Sequence, residues 1–269
     1  MSFISYMGGK HAISKRIIPL FPKHQKYVEV FMGSAAVFFA KPKVKVSILN
    51  DFNRHLVNLF EILRDYPDEL KRWIQFTPKS RDLYDNYTVA LRNDFKNIDS
   101  RIARAGMYMY VHGLSYNNKV GQGFTVTGTR ITEFSELWRN TLDYYSSLLN
   151  GVAIENLDFE KLITRYDGAD TFMYLDPPYY VADDTAYYEF VFNKNDHLRL
   201  FNVLKSTKCN WMMSYDDNEY IKKLYSDFNI KIIENHPLPS ASKFSGDRYR
   251  NEIIITNYQL EKLQYSLQF

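Results

Sequence analysis

Thr171-Phe172-Met173-Tyr174-Leu175-Asp176-Pro177-Pro178-Tyr179 is the stretch from which the rest of the chain can be read outward. A short apolar and aromatic run that ends at a polar turn residue reads as a β-strand, here 171–175. Two prolines then fix a rigid turn at its carboxyl end. In open α/β sheets ligands bind beyond such strand ends. The turn presents the Asp176 carboxylate and the Pro177 carbonyl as acceptors, with Tyr179 as a flat face. Acceptors beside an aromatic face suit a planar heterocycle that carries an NH2 group. The bland alternative is a Pro-Pro turn that only closes a strand.

Similar runs recur on both sides: Tyr27–Phe31, Val44–Leu49, Val152–Asn156, Trp211–Ser214, Ile230–Ile233 and Ile253–Asn257. Helix-period segments separate several of them, at Ala35–Ala40, Asn53–Arg64, Asp196–Lys205 and Asp217–Ser226. Strands alternating with helices predict an α/β fold with a mainly parallel, Rossmann-like sheet. The last two strands are joined by His236–Arg250, which has loop chemistry and no helix pattern. That predicts a hairpin, and so an antiparallel strand near the C-terminus, at the end of the sheet. Between the second and third strands lie helical segments at Asp65–Phe76, Lys79–Phe95, Ile98–Val111 and Glu133–Leu149, with a glycine-rich loop over Gly113–Arg130. An insert of roughly 90 residues is too long for a crossover and reads as a helical subdomain.

The 269 residues, 45% hydrophobic and 24% charged, are enough to bury a core without staples. The single cysteine, Cys209, makes neither an internal disulfide nor, by itself, a zinc site. His112 and His197 have no partners at ligand spacing, so no metal is expected. No run approaches the roughly 18 apolar residues of a membrane span. The first residues lack the basic-then-apolar pattern of a secretory signal. Secreted scaffolds and zinc modules are thereby set aside in favour of a cytoplasmic enzyme or binding protein. Net charge is only +3, yet basic residues cluster at Lys10–Arg16, Arg92–Arg104 and Lys243–Arg250, and aromatics reach 16%. Basic segments interleaved with aromatics suit nucleic acid. A tyrosine-rich surface from a biased genome would give the same composition.

Several motifs, in order, resemble the Dam family of DNA adenine-N6 methyltransferases, which use S-adenosylmethionine. Phe3-Ile4-Ser5-Tyr6-Met7-Gly8-Gly9-Lys10 resembles the family's N-terminal cofactor motif, and Tyr27-Val28-Glu29-Val30-Phe31-Met32-Gly33-Ser34 its strand-to-glycine loop. Leu49-Asn50-Asp51 resembles the acidic end of the next strand, Asp176–Tyr179 the catalytic motif, and Arg250–Tyr258 the final strand. The resemblance implies a bacterial or phage-infected cell. It also implies an S-adenosylmethionine-binding catalytic domain over 1–64 and 151–269, and a helical DNA target-recognition insert over 65–150.

The chemistry of individual residues agrees. Gly33 follows a strand where backbone must pass close to a cofactor; Ser34 stands where the family usually has a second glycine. The absence of G-x-G-x-x-G argues against a nicotinamide dinucleotide. Asp51, at the next strand's end, can accept both ribose hydroxyls of a nucleoside cofactor; otherwise it is an Asn-Asp turn. Lys10 can reach the cofactor's carboxylate, or be a solvated lysine. The resemblance places Tyr6 and Phe31 near the cofactor. Phe159, after Asp158, could stack on its adenine or be the first core residue of a helix. Asp176, Pro177 and Tyr179 are the expected catalytic set, with Asp176 also beside the cofactor. Asn118, Lys119 and Arg130 in the insert's loop, and Lys243, Arg248 and Arg250 in the final hairpin, are the expected contacts to double-stranded DNA. An Arg-x-Asn element common in relatives that recognise GATC is absent; Ser115-Tyr116-Asn117 stands in its place. Competing readings are methylation of cytosine N4 or of adenine in RNA, and a non-catalytic nucleic-acid-binding relative.

Overall fold

The computed structural model describes residues 4, 10–115, 123–124, 141–180, 192–237 and 249–260. Seven strands are present among them: β1 Lys26–Glu29, β2 Val46–Asn50, β3 Ala153–Glu155, β4 Thr171–Leu175, β5 Asn210–Asp216, β6 Asn229–Pro237 and β7 Tyr249–Thr256. The described helices are α1 His11–Ile17, α2 Ala36–Ala40, α3 Arg54–Asp65, α4 Pro67–Phe76, α5 Arg81–Arg92, α6 Arg101–Leu114, α7 at 141–149, α8 Phe159–Tyr166, α9 Lys194–Lys205 and α10 Glu219–Leu224. The strand order is β3-β2-β1-β4-β5-β7-β6.

The chain divides into two compact units. The first holds Met1–Lys15, Met32–Lys43 and Ser47–Leu157; the second holds Arg16–Phe31, Val44–Val46 and Asp158–Phe269.

In the second unit β4 lies between β1 and β5, parallel to both. All five β4 residues are buried, as a central strand covered on both faces requires. The expected antiparallel strand is β7, but it is not outermost. It pairs antiparallel with β5 on one side and β6 on the other, leaving β6 at the edge. Burial explains the exchange. Ile253, Ile254 and Ile255 are consecutive and all buried, which only an interior strand allows, whereas Ile232 of β6 is exposed. A register shift between Ile233 and His236 bends the edge strand.

In the first unit β2 runs parallel to β3. Asn50 clips the turn after β3: its amide donates to Leu157 O (3.1 Å) and its carbonyl accepts from Leu157 N (2.9 Å). Helices α3, α4 and α5 pack on α6, which buries Tyr108, Met109, Tyr110 and Val111 in succession. Polar residues start these helices as capping requires. Asn53 accepts from His55 N and Leu56 N before α3, Ser80 from Leu83 N before α5, and Ser100 from Ala103 N before α6. The Tyr110 hydroxyl donates to Pro78 O (3.0 Å) and accepts from Ser80 N (2.8 Å), fixing the α4–α5 turn. Ser115 and Phe124 form an isolated antiparallel bridge, so the chain leaving α6 returns beside its end.

Candidate active site

In the second unit the carboxyl ends of the parallel strands β1, β4 and β5 lie side by side, and ligands of open α/β sheets bind beyond such ends. In the second unit Glu29 is level with Tyr174 and Leu175 with Met213. Counting on along each strand, Phe31 and Ser214 stand level with Asp176 on either side. Ser214 Oγ donates to Asp176 Oδ1 (3.2 Å), and the Tyr174 hydroxyl pairs with Ser214 Oγ (2.7 Å). Since Ser214 gives its proton to a carboxylate, Tyr174 is the donor to Ser214.

On the opposite face of β5, Tyr215 packs its ring against Tyr179, with centroids 4.8 Å apart. Its hydroxyl lies 3.5 Å from Pro178 O and 3.4 Å from Nε2 of His197, and accepts the Tyr180 N–H. Burial lowers the His197 imidazole to about 4, so it is neutral at pH 7. Beneath the motif, Tyr27 donates to the buried Glu29 (2.7 Å), and burial first, then that carboxylate, push the Tyr27 phenol up.

Phe31, Phe159 and Phe192 form an aromatic triangle, with centroid distances of 5.9, 5.7 and 5.5 Å. Phe159 is the buried first residue of α8, capped by Asp158. One face of its ring carries the Arg199 guanidinium at 4.7 Å, which also binds Asp158, Glu160 and Asp196.

In the first unit Gly33 has a φ of 47°, a left-handed conformation that favours glycine. Its N–H donates to Asp51 Oδ2 (3.0 Å), and Asn53 N donates to Asp51 Oδ1 (2.9 Å). Burial raises the Asp51 carboxyl above its ordinary range, while hydrogen bonds from Asn53, Gly33 and Phe52 pull it back. A carboxylate has about four lone-pair sites. With backbone donors from Gly33, Asn53 and Phe52, Asp51 keeps the capacity to accept about one more hydroxyl. These groups fit a nucleoside cofactor by the chemistry of the donor set. Lys10 precedes α1 and is buried at 4% exposure, with its carbonyl accepting Ser14 N–H (2.8 Å).

Of the remaining residues singled out in the sequence, Tyr6, Asn118, Lys119, Arg130, Lys243 and Arg248 lie outside the described residues. Arg250 is level with His236 in the β6–β7 ladder. Sequence reasoning missed Ser214, Tyr215 and Phe192, and weighed His197 only as a metal ligand, a role it set aside. Ser214 falls beside Asp176 through the β4–β5 register, in which Leu175 pairs with Met213, and that register exists only once the sheet is assembled. Among the described residues no group of His, Cys, Asp or Glu is placed to hold a metal, and no helix is long and apolar enough to cross a membrane.

Comparison with known proteins supplies the class of reaction. Residues 6–236 match the family model of D12 class N6 adenine-specific DNA methyltransferases. The type II methyltransferase M1.LlaDCHI of Lactococcus lactis subsp. cremoris is 30% identical over 275 residues, covering 95% of each chain. The type II methyltransferase M.MjaIII of Methanocaldococcus jannaschii is 28% identical, covering 95% of this chain and 98% of its own. The DNA adenine methylase of Haemophilus influenzae is 24% identical, with 86% and 85% covered. The match runs through the turn at Asp176 and through both strand ends that carry Gly33 and Asp51, so the chain belongs to the D12 class of N6 adenine-specific DNA methyltransferases and its reaction is methylation of adenine N6 in DNA.

Proposed function

We propose that the methyl donor is S-adenosylmethionine and that the target is an adenine flipped out of double-stranded DNA. When bound, this cofactor would supply an electrophilic sulfonium methyl, with the C–S electron pair left on sulfur. Asp51 accepts a ribose hydroxyl, Gly33 lets backbone pass close by, and Lys10 pairs with the cofactor's carboxylate. Phe31 and Phe159 offer apolar surface to its adenine, and Tyr6 packs nearby.

An exocyclic adenine amine is a poor nucleophile because its lone pair is delocalised into the ring. Asp176 and the Pro177 carbonyl accept its two N–H bonds, so the nitrogen can pyramidalise and direct its lone pair at the methyl. The nitrogen then gives up one proton through the Asp176 carboxylate, which accepts that N–H, to water. Preorganised acceptors and in-line placement provide most of the acceleration. The base cannot be reached inside a duplex, so it leaves the stack and lies on Tyr179. Lys243, Arg248 and Arg250 hold phosphates, while Asn118, Lys119 and Arg130 in the insert's loop read sequence. The type II names of two relatives favour a restriction-linked role in the cytoplasm of a bacterial or phage-infected cell.

The observation that carries this reading is Asp176 at the end of the central strand β4, with Oδ1 anchored by Ser214. Sequencing of DNA methylated by the purified protein, with S-adenosylmethionine as the only donor, tests it. N6-methyladenine at one short motif is expected. N4-methylcytosine, or no product with this donor, overturns it.

A further inference from the structure

The end of β5 belongs to no motif for cofactor or DNA, yet it touches the catalytic turn from both faces of the sheet. Ser214 and Tyr215 are adjacent, both fully buried, and so point to opposite faces. On one face the string Tyr174 hydroxyl, Ser214 Oγ, Asp176 Oδ1 is built from contacts of 2.7 and 3.2 Å. Tyr174 precedes Asp176 by two residues on the same strand, so the strand that carries the carboxylate also carries the donor that orients Ser214 toward it. On the other face the Tyr215 hydroxyl meets the turn's backbone at two points, the Pro178 carbonyl and the Tyr180 N–H, and its ring supports Tyr179. His197, buried on α9, backs that hydroxyl at 3.4 Å.

We infer that Ser214 and Tyr215 are positioning residues for methyl transfer: Ser214 sets the rotamer of the Asp176 carboxylate, and Tyr215 holds the Pro178–Tyr180 backbone so that the Pro177 carbonyl and Tyr179 keep their places. This rests on the reading of Asp176 and Pro177 as acceptors of the adenine amine. The physical need is plain. The carboxylate and the Pro177 carbonyl must converge on two hydrogens of one nitrogen, and an error of about 1 Å in such a pair can cost about 100-fold in rate. A turn that ends a strand has no ladder of its own to hold it. Supporting contacts from a neighbouring rigid element serve that purpose.

The test is steady-state methyl transfer from tritiated S-adenosylmethionine to DNA from a methylation-deficient bacterial strain. It compares the wild type with Ser214→Ala, Ser214→Thr, Tyr215→Phe and Asp176→Ala, with thermal melts of each. Ser214→Ala and Tyr215→Phe are expected to lower kcat about 10- to 100-fold while KM for the cofactor stays within about twofold, and Ser214→Thr, which keeps the hydroxyl, to recover most of the loss. Wild-type kcat in Ser214→Ala and Tyr215→Phe beside an inactive Asp176→Ala overturns the positioning role alone. Turnover retained by Asp176→Ala overturns the reading of the site, and the positioning role with it. A loss that tracks the unfolded fraction at the assay temperature, and that Ser214→Thr does not relieve, marks a folding role and overturns the inference as well.

Discussion

Two carboxylates illustrate how different surroundings assign different work. Asp176 takes a hydroxyl from Ser214 at the end of a central strand, whereas Asp51 takes backbone N–H groups from Gly33 and Asn53 in a tight loop. Replacing Asp176 by Ala should leave a folded protein and lower methyl transfer by about 10²–10³-fold, the usual cost of losing one preorganised transition-state group. Retention of more than a few per cent of turnover in a filter assay would remove Asp176 from its role. Asp51→Ala should instead weaken cofactor binding about 10- to 100-fold, the scale of hydrogen bonds to a charged acceptor, with DNA affinity unchanged. Calorimetry with S-adenosylmethionine reads this directly, and unchanged affinity would make Asp51 a loop-fixing residue only. The places of Asp176 and Asp51 at strand ends were legible in the sequence because each follows an apolar run. Ser214 and Tyr215 were not, because their contacts depend on strand order, and β4 and β5 are adjacent only once the sheet is assembled.

The interior strands carry the strongest signals among the elements. The span 171–175 holds to the residue, since an apolar run between a turn and a proline admits one register. Helices α3 and α9 start within two residues of expectation because Asn53 and Asn193 cap them. Helix α1, HAISKRI, was not foreseen; the sequence showed there only the basic cluster Lys10–Arg16. The hairpin was legible, but not which of its strands faces the sheet, because a hairpin fixes pairing only between its own strands. Packing between helices leaves a further mark in Gly106. A Cβ built there would lie 2.3 Å from Cε3 of Trp73, so α6 approaches α4 only because this side chain is absent. Gly106→Ala should therefore destabilise by about 1–3 kcal/mol, the cost of overpacking, despite alanine's better helix propensity. Urea denaturation with an unchanged or raised midpoint would show that the Trp73 ring gives way freely.

For the molecule as a whole, charge and protonation set the working conditions. A net charge of +3 is too small to hold DNA by itself, so affinity rests on local clusters. Replacing Lys243 or Arg248 should weaken binding to every DNA sequence and lower the salt slope by about one unit per lost phosphate contact. Altered sequence preference in these variants would instead make them base readers. Acid stability follows from three histidines, His55 and His112 in the first compact unit and His197 in the second. Burial lowers all three from 6.5 to about 4; Arg54 and Arg104 add to this at His55, and Asp196 only partly opposes it at His197. Below about pH 6.5 the unfolded chain binds protons that the folded chain refuses. Stability is therefore full above that pH, falls as pH drops toward about 4, and levels off beneath it. Each histidine contributes a slope of up to about 1.4 kcal/mol per pH unit inside this window. Asp51 has the opposite sign, because its raised carboxyl protonates first in the folded state, but it acts at the acid end where carboxylates titrate. The melting temperature should thus drop between pH 7 and pH 5, and a His112→Asn variant should show a shallower slope. A profile that is flat from pH 7 to pH 5 would mean that these rings can gain a proton inside the fold.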